Sequence, residues 1–199
     1  QLQGSPIDQR IARLKFFAAR GSLFNGALAA LLRAVGQITA ADMLACFGRG
    51  DTDHYWHTVI RQQEFQSRFD AMLRSAGFHA VLMPAFATPP YRHGQAIDLG
   101  VAGTYASLWN VLGWPAGIVP VTRIRADEGV VRPASSDRAL QAAATCDRDA
   151  QGLPVAVQIA APAWQESTVL ALMRTLEAGV RGTPDFPLTP VTPQSASSR

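Results

Sequence analysis

Lysine is nearly absent from this chain of 199 residues: of its 18 cationic residues, Lys15 alone is not arginine. Arginine stays charged in proteins, so a mechanism that needs a deprotonated amine has a single candidate here. Charged residues make up only 17% of the chain and hydrophobic ones 48%. Such a chain must bury much of its surface or present some of it to lipid. Cysteine is scarce too. Cys46 and Cys146 stand far apart, which excludes a disulfide framework and a zinc site and points to a reducing, intracellular setting. No apolar run reaches the ~20 residues of a spanning helix. Gly21 to Leu32 is too short, and Leu99 to Thr122 is broken by Asn110, Pro115 and Pro120. A signal-peptide layout is missing. The net charge, 18 − 15 = +3, is too weak for a nucleic-acid partner, and no basic stripe interleaved with aromatics is present.

Acidic residues are missing between Gln9 and Ala41, where Arg10, Arg13, Lys15, Arg20 and Arg33 stand. In that stretch Phe24, Leu28, Leu31, Leu32 and Val35 recur at helical spacing, after an earlier helical piece with Ile11, Leu14, Phe16 and Phe17. Gly21, Ser22 and Gly26 are expected to divide the two. An apolar stripe with basic flanks suits an interfacial membrane helix, but from this segment alone a helical hairpin packed on the rest of the protein is the favoured reading.

Glycines at 48 and 50 mark a connector, and Asp51, Thr52 or Asp53 can cap the helix that follows. Trp56, Val59, Ile60, Phe69, Met72, Leu73 and Ala76 predict an amphipathic helix from Tyr55 to Ala76, ended by Gly77. Ala80 to Pro84 reads as a buried strand, Ala87 to Gly94 as loop, Tyr105 to Leu112 as a short helix and Ala116 to Thr122 as a second strand. Pro120 lacks an N–H, which places it at a sheet edge or an irregularity. Arg123 to Gln151 reads as a polar excursion with a helix from Asp137 to Thr145. A third strand, Pro154 to Ala161, then leads into a helix from Ala163 to about Val180, with Pro162 near its first turn. The Pro/Ser-rich tail from Thr183 on is expected to be poorly ordered.

The residues that would carry chemistry are few. Ser135 and Ser136 lie in a charged stretch without the glycine-flanked turn that commonly sets a serine beside backbone N–H donors, and Lys15 reads as a snorkelling surface lysine. His54 and His57 share a helix face but lack a third ligand, so no metal is assigned. Nothing in the spacing brings two acids, such as Glu64 and Asp70, together as a pair.

Two blocks carry a family resemblance. Tyr105, Leu108, Asn110 and Leu112, followed by Pro115-Ala-Gly and Val119-Pro-Val-Thr122, form the first; Gly152-Leu-Pro-Val-Ala-Val-Gln158, followed by Trp164-Gln-Glu166, forms the second. Together with the helix and Val-Leu-Met-Pro84 strand before them, they resemble the C-terminal part of the amidase signature hydrolases, most closely the fatty acid amide hydrolase branch, over residues 55 to 178. His79 and Met83 depart from that branch's strand, and Gly103 stands where a bulkier apolar residue is usual. The resemblance implies an α/β fold, a mixed β-sheet covered by α-helices, of which this chain is a part. It also implies a reaction in which one serine attacks an acyl amide, a second relays the proton and a lysine is the base. None of those three has a counterpart here, so no catalytic residue is assigned.

By position, the N-terminal helices resemble the membrane-binding cap of these hydrolases, which tips the reading of residues 10 to 36 toward lipid and names Phe16, Phe17, Phe24, Leu28, Leu31 and Leu32 as membrane contacts. Gly103, Thr104, Tyr105 and Trp164 become candidate contacts to an acyl chain, Trp164 competing with a role in pinning its strand to the next helix; Trp56, Trp109 and Trp114 read as core. The expected organisation is a cap-like segment at 1–47, part of an amidase domain at 48–182 and a tail at 183–199. The implied partners are a fatty acid amide or other acyl amide substrate and a membrane surface touched peripherally, with no cofactor; homodimerisation of a longer parent stays open. The alternative is a catalytically inactive lipid-binding or interaction module built on the same fold.

Overall fold

A computed structural model describes residues 9–48 and 50–187. The first three helices, α1 (Gln9–Ala18), α2 (Ser22–Ala34) and α3 (Ile38–Ala45), make a unit with its own small core. Ala29 of α2 meets Ala41 and Leu44 of α3, and Phe17, Leu28 and Leu32 pack around them. The break between α1 and α2 falls at residues 19–21, while Gly26 sits inside α2. Asn25, buried on α2, donates from Nδ2 to the carbonyls of Phe17 and Phe47, each at 3.0 Å, and so ties α1 and the following connector to α2.

Among the described residues, the hydrogen bonds between this unit and the α/β part gather at residues 37–39 and 136–138. Asp137 Oδ1 accepts from the Ala139 amide at 2.9 Å as the N-cap of α6 (Arg138–Arg148), and its Oδ2 accepts from the Thr39 amide in the first turn of α3 at 2.7 Å. One carboxylate therefore caps two helices, where both dipoles favour negative charge. Burial pushes the Asp137 carboxyl up, but the donors on Thr39, Ala139 and Leu140 outweigh it and hold the group below the usual 3.8. A lowered folded pKa contributes stability that is present above the ordinary carboxylate value and lost as pH falls through the folded one.

The 24-residue α4 (Thr52–Ser75) starts as expected, with Asp51 Oδ1 accepting from the His54 amide at 2.8 Å, and Gly77, at φ +73°, turns the chain out of it. Only its second half is covered. Leu73 joins Trp109 and Leu112 of α5 (Thr104–Leu112), Trp114 and Ala160 in the main core, with Phe65 and Phe69 alongside. Trp56, expected in that core, is exposed and packs edge-on against Tyr55 instead, because the first turns of α4 run past α5 and the sheet.

The sheet has three strands, β1 (Val81–Pro84), β2 (Ala116–Arg123) and β3 (Pro154–Ala160), in the order β1-β3-β2. Both pairings are antiparallel, so the mixed sheet expected from the family pattern appears among the described residues as an antiparallel one. The two strands that run the same way are separated by β3. Being an edge strand, β1 alternates between half-buried and exposed side chains rather than lying buried throughout. Pro120 stands at the edge, next to a register shift between Pro120 and Thr122.

α7 (Glu166–Val180) covers one face of β2 and β3. Gly117 permits that approach, since a Cβ there would stand 2.1 Å from Met173 Sδ and 3.4 Å from the buried Val169. The helix begins three residues later than expected, because Trp164 takes φ +68° and breaks the helical path. The long return between β2 and β3 is less free than its polarity suggests. Ala143 and Cys146 of α6 pack with Leu99 and Ala102 in a second core, and Arg132 pairs with the buried Asp147. Of the tail, residues 183–187 are described: Asp185 pairs with Arg125 at 3.4 Å and Pro187 is buried. The remainder, 188–199, lies outside the described residues.

Candidate functional site

The Gly103-Thr104-Tyr105 turn opens α5, with Gly103 at the N-cap and Thr104 Oγ1 donating to the Val101 carbonyl at 2.9 Å. The Ala87 amide donates to the Ala102 carbonyl at 3.0 Å, which brings the loop after β1 alongside this turn. A Cβ on Gly103 would lie 3.3 Å from Cε2 of Phe86. The ring of Phe86 thus fills the space a bulkier residue at 103 would take.

Phe86 also opens onto an apolar groove of about 380 Å³ between the loop Pro84 to Tyr91 and the start of β3, Pro154 to Ala156. The Phe86 and Tyr91 rings stand 5.6 Å apart, tilted by 38°. Neither residue stood out in the sequence, where the loop showed only its prolines; two aromatics inside a proline-rich stretch were the available signal.

Trp164 lies elsewhere. Its indole is 88% exposed, so it does not pin β3 to α7. It follows Ala161, whose amide donates to the Pro115 carbonyl just beyond the C-terminal end of α5. Gly103 to Tyr105 thus open a nine-residue helix, about 13 Å long at 1.5 Å per residue, while the strand that leads to Trp164 bonds just beyond its other end. No described hydrogen bond or ring contact joins Trp164 to the other three. Trp164 is also the one non-glycine residue at positive φ among those described, a conformation disfavoured for a bulky side chain and often kept where a surface has work to do.

The six residues named for membrane contact divide. Phe17, Leu28 and Leu32 face the inner core of the helical unit, whereas Phe16, Phe24 and Leu31 are exposed. Leu23, exposed at 90%, joins Ala27, Ala30, Leu31 and Ala34 on one outer face of α2 without a charged side chain among them. α2 is thus apolar on its inner and outer faces alike, a pattern of helices that are covered on both sides. Arg20 lies over the rings of Phe16 and Phe24, at 4.2 and 5.4 Å from their centroids. No described helix is long and apolar enough to cross a membrane.

A hydrolytic centre is not assembled among the described residues. Lys15 is exposed on α1, and the hydroxyls of Ser75 and Ser107 bond backbone carbonyls, while that of Ser135 accepts from the Asp137 amide. Burial, and then the nearby Asp147 and Asp149 charges, push the Cys146 thiol up, away from thiolate chemistry. No group of three or more His, Cys, Asp or Glu side chains that could hold a metal ion occurs among the described residues.

Comparison with known proteins gives a consistent picture. A family model described as Amidase matches residues 37–170, from the residue before α3 to the first turns of α7, and leaves α1 and α2 outside. Fatty acid amide hydrolase 1 of Caenorhabditis elegans is 29% identical over 123 residues, 60% of this chain and 22% of that protein. A putative amidase of Schizosaccharomyces pombe is 27% identical over 128 residues, 62% and 23%. Fatty-acid amide hydrolase 1 of Sus scrofa is 28% identical over 188 residues, 88% and 31%. The chain spans 22 to 31% of the length of these relatives.

Proposed function

The chain belongs to the amidase family, and from that premise we propose that it forms the C-terminal portion of an enzyme that hydrolyses fatty acid amides at a membrane surface, with its two serines and lysine supplied from upstream. One mismatch carries this reading: the family match runs over 37–170, yet the chain's sole lysine is exposed on α1 and bonded to no serine among the described residues. The portion contributes walls rather than chemistry. An extended acyl chain laid along α5 reaches both Trp164 and the Gly103 to Tyr105 turn, which a compact ligand does not.

Purified chain incubated with a long-chain fatty acid amide is expected to release no fatty acid above background, and a fluorophosphonate probe is expected to leave every serine unmodified by mass spectrometry. Turnover abolished by replacing one serine of this chain would overturn the reading.

Membrane docking is supported by the outer face of α2 and by the basic residues beside it. The pig alignment omits only about 12% of the chain, or about 24 residues, so it takes in part of residues 1–47. Burying a leucine is worth at least about 1.5 kcal/mol, so two are worth about 3, and Leu23→Glu with Leu31→Glu is expected to lower partitioning onto anionic vesicles on the order of a hundred-fold. Unchanged co-sedimentation would remove this face from the membrane. The unpaired Cys46 and Cys146 fit a site on the reducing side of that membrane. The same face would serve a catalytically inactive lipid-binding module; a coding region upstream of Gln1 with a serine/glycine-rich loop and a lysine in frame favours the enzyme.

A further inference from the structure

Among the described residues, the helical unit and the α/β body share no apolar core. Ala29, Ala41, Leu44 and the side chains packed on them all belong to residues 17–44, and the two cores of the body draw on none of them. Among the described residues, the hydrogen bonds that join the two are polar and concentrated on two short runs, 37–39 and 136–138. Gln37 Nε2 donates to the Ser136 carbonyl at 2.5 Å, the Thr39 amide donates to Asp137 Oδ2 at 2.7 Å, and the Arg138 amide donates to Gln37 Oε1 at 3.2 Å. Gly36 completes the fit. A Cβ at this residue, which has φ +77°, would stand 2.2 Å from Ser136 Oγ, so the Ser136 side chain occupies the space that a side chain at 36 would need. The covalent link on the other side runs through Gly48 and Gly50 to Asp51.

We propose that Asp137 and Gln37 form a clasp that sets the orientation of the helical unit on the body, and that opening it lets residues 9–45 turn as one piece about the Gly48 to Gly50 connector. A unit with its own core stays folded when the clasp opens, because the bonds lost lie at its boundary and not inside it. Asp137 is thus a positioning residue: its two carboxylate oxygens hold the first turns of α3 and α6 against each other. The consequence for lipid, that the clasp aims the bare face of α2, rests on the membrane reading above; the clasp itself does not.

The test places spin labels on the full chain at L23C, on the outer face of α2, and L170C, on the exposed side of α7, in a C46S background. Distances are measured in solution without lipid. The otherwise unaltered chain is expected to give one narrow distribution, and Asp137→Ala and Gln37→Ala broad ones. Hydrogen exchange at the Thr39 and Ala139 amides is expected to quicken at least ten-fold in Asp137→Ala, with peptides from α4, β3 and α7 unchanged. An unlabelled pair G36C/S136C is then added to close the joint, since a Cβ at 36 would lie 3.4 Å from the Ser136 Cβ, close to the separation in a disulfide. Oxidised, it is expected to restore the narrow distribution to Asp137→Ala; reduced, it carries the same strain at residue 36 and serves as the control. A narrow distribution in Asp137→Ala, no restoration on oxidation, or faster exchange spread across the body would each overturn the proposal, the last by making Asp137 a general support of the fold. Loss of vesicle binding in every variant and in the parent would remove the membrane reading and leave the clasp standing.

Discussion

Replacing Trp114 by alanine is expected to destabilise the chain by about 3 to 5 kcal/mol, the cost of emptying a large aromatic site in a packed core. Trp114 is buried, lies stacked on Trp109 with ring centroids 5.7 Å apart, and meets Phe69 edge-on at 5.3 Å. Its Nε1 donates to Asp70 Oδ1 at 3.0 Å, which links the turn after α5 to α4. Since domains of this kind are commonly stable by only about 5 to 15 kcal/mol, the variant stands near unfolding. Trp114→Phe keeps a ring in the site and loses the donor, and Asp70 retains some access to water, so its cost is expected to be smaller, about 1 to 2 kcal/mol. Urea titration followed by far-UV circular dichroism measures both, free of the fluorescence change that removing a tryptophan causes. A loss under about 1 kcal/mol for Trp114→Ala would mean that the site collapses without cost and that the stack does not hold α5. The effect reaches the candidate site, because α5 carries Gly103 to Tyr105 at its other end.

The second large effect is expected at Arg132. Its guanidinium pairs with both oxygens of Asp147, whose side chain is only 5% exposed, while Arg132 itself keeps 30% exposure. Arg132→Ala strands a buried carboxylate on α6. Breaking such a pair from one side costs about 3 to 5 kcal/mol, and the access of water to Arg132 places the expectation at about 3. Replacing both partners, as Arg132→Met with Asp147→Leu, is expected to recover most of that loss, because it removes the stranded charge along with its partner. Equal instability in the single and double variants would show that the pair's geometry, and not the unpaired charge, holds the return between β2 and β3. That return also carries Asp137, so the double variant reports on whether the joint survives without the ion pair.

Local physics made much of the architecture legible. Helix periods placed α4, α5 and α7 within a few residues, and a residue without an N–H put the irregularity of β2 at Pro120. A cap was readable at Asp51, Thr52 or Asp53, because short polar side chains before a helix accept its free amides, and the structure selects Asp51. The failures are equally specific. Trp56 repeats at the spacing of a core residue, but whether a helix face is covered depends on how far its neighbours extend. Of the two roles weighed for Trp164, the pin between strand and helix fails, since its positive φ delays α7 and leaves the indole in water. Asp137 and Gln37 are 100 positions apart and ordinary in their local context, so nothing in either neighbourhood announced the joint.

The candidate site was readable to the same degree. The family resemblance drew attention to the Gly103 to Tyr105 turn before α5, while Phe86, which occupies the space over Gly103, and Tyr91 beside it emerged only when the loop after β1 was laid against the turn. By itself the sequence determined which segments become helix or strand, the apolar character of both faces of α2, and the lack of a glycine-flanked serine turn, since each depends on residues within one or two turns of each other. Only the tertiary structure decided which of those faces found a partner, which strand lay between the other two, and which distant side chains met at a joint. Those outcomes depend on non-local pairings, and a linear pattern carries no distances.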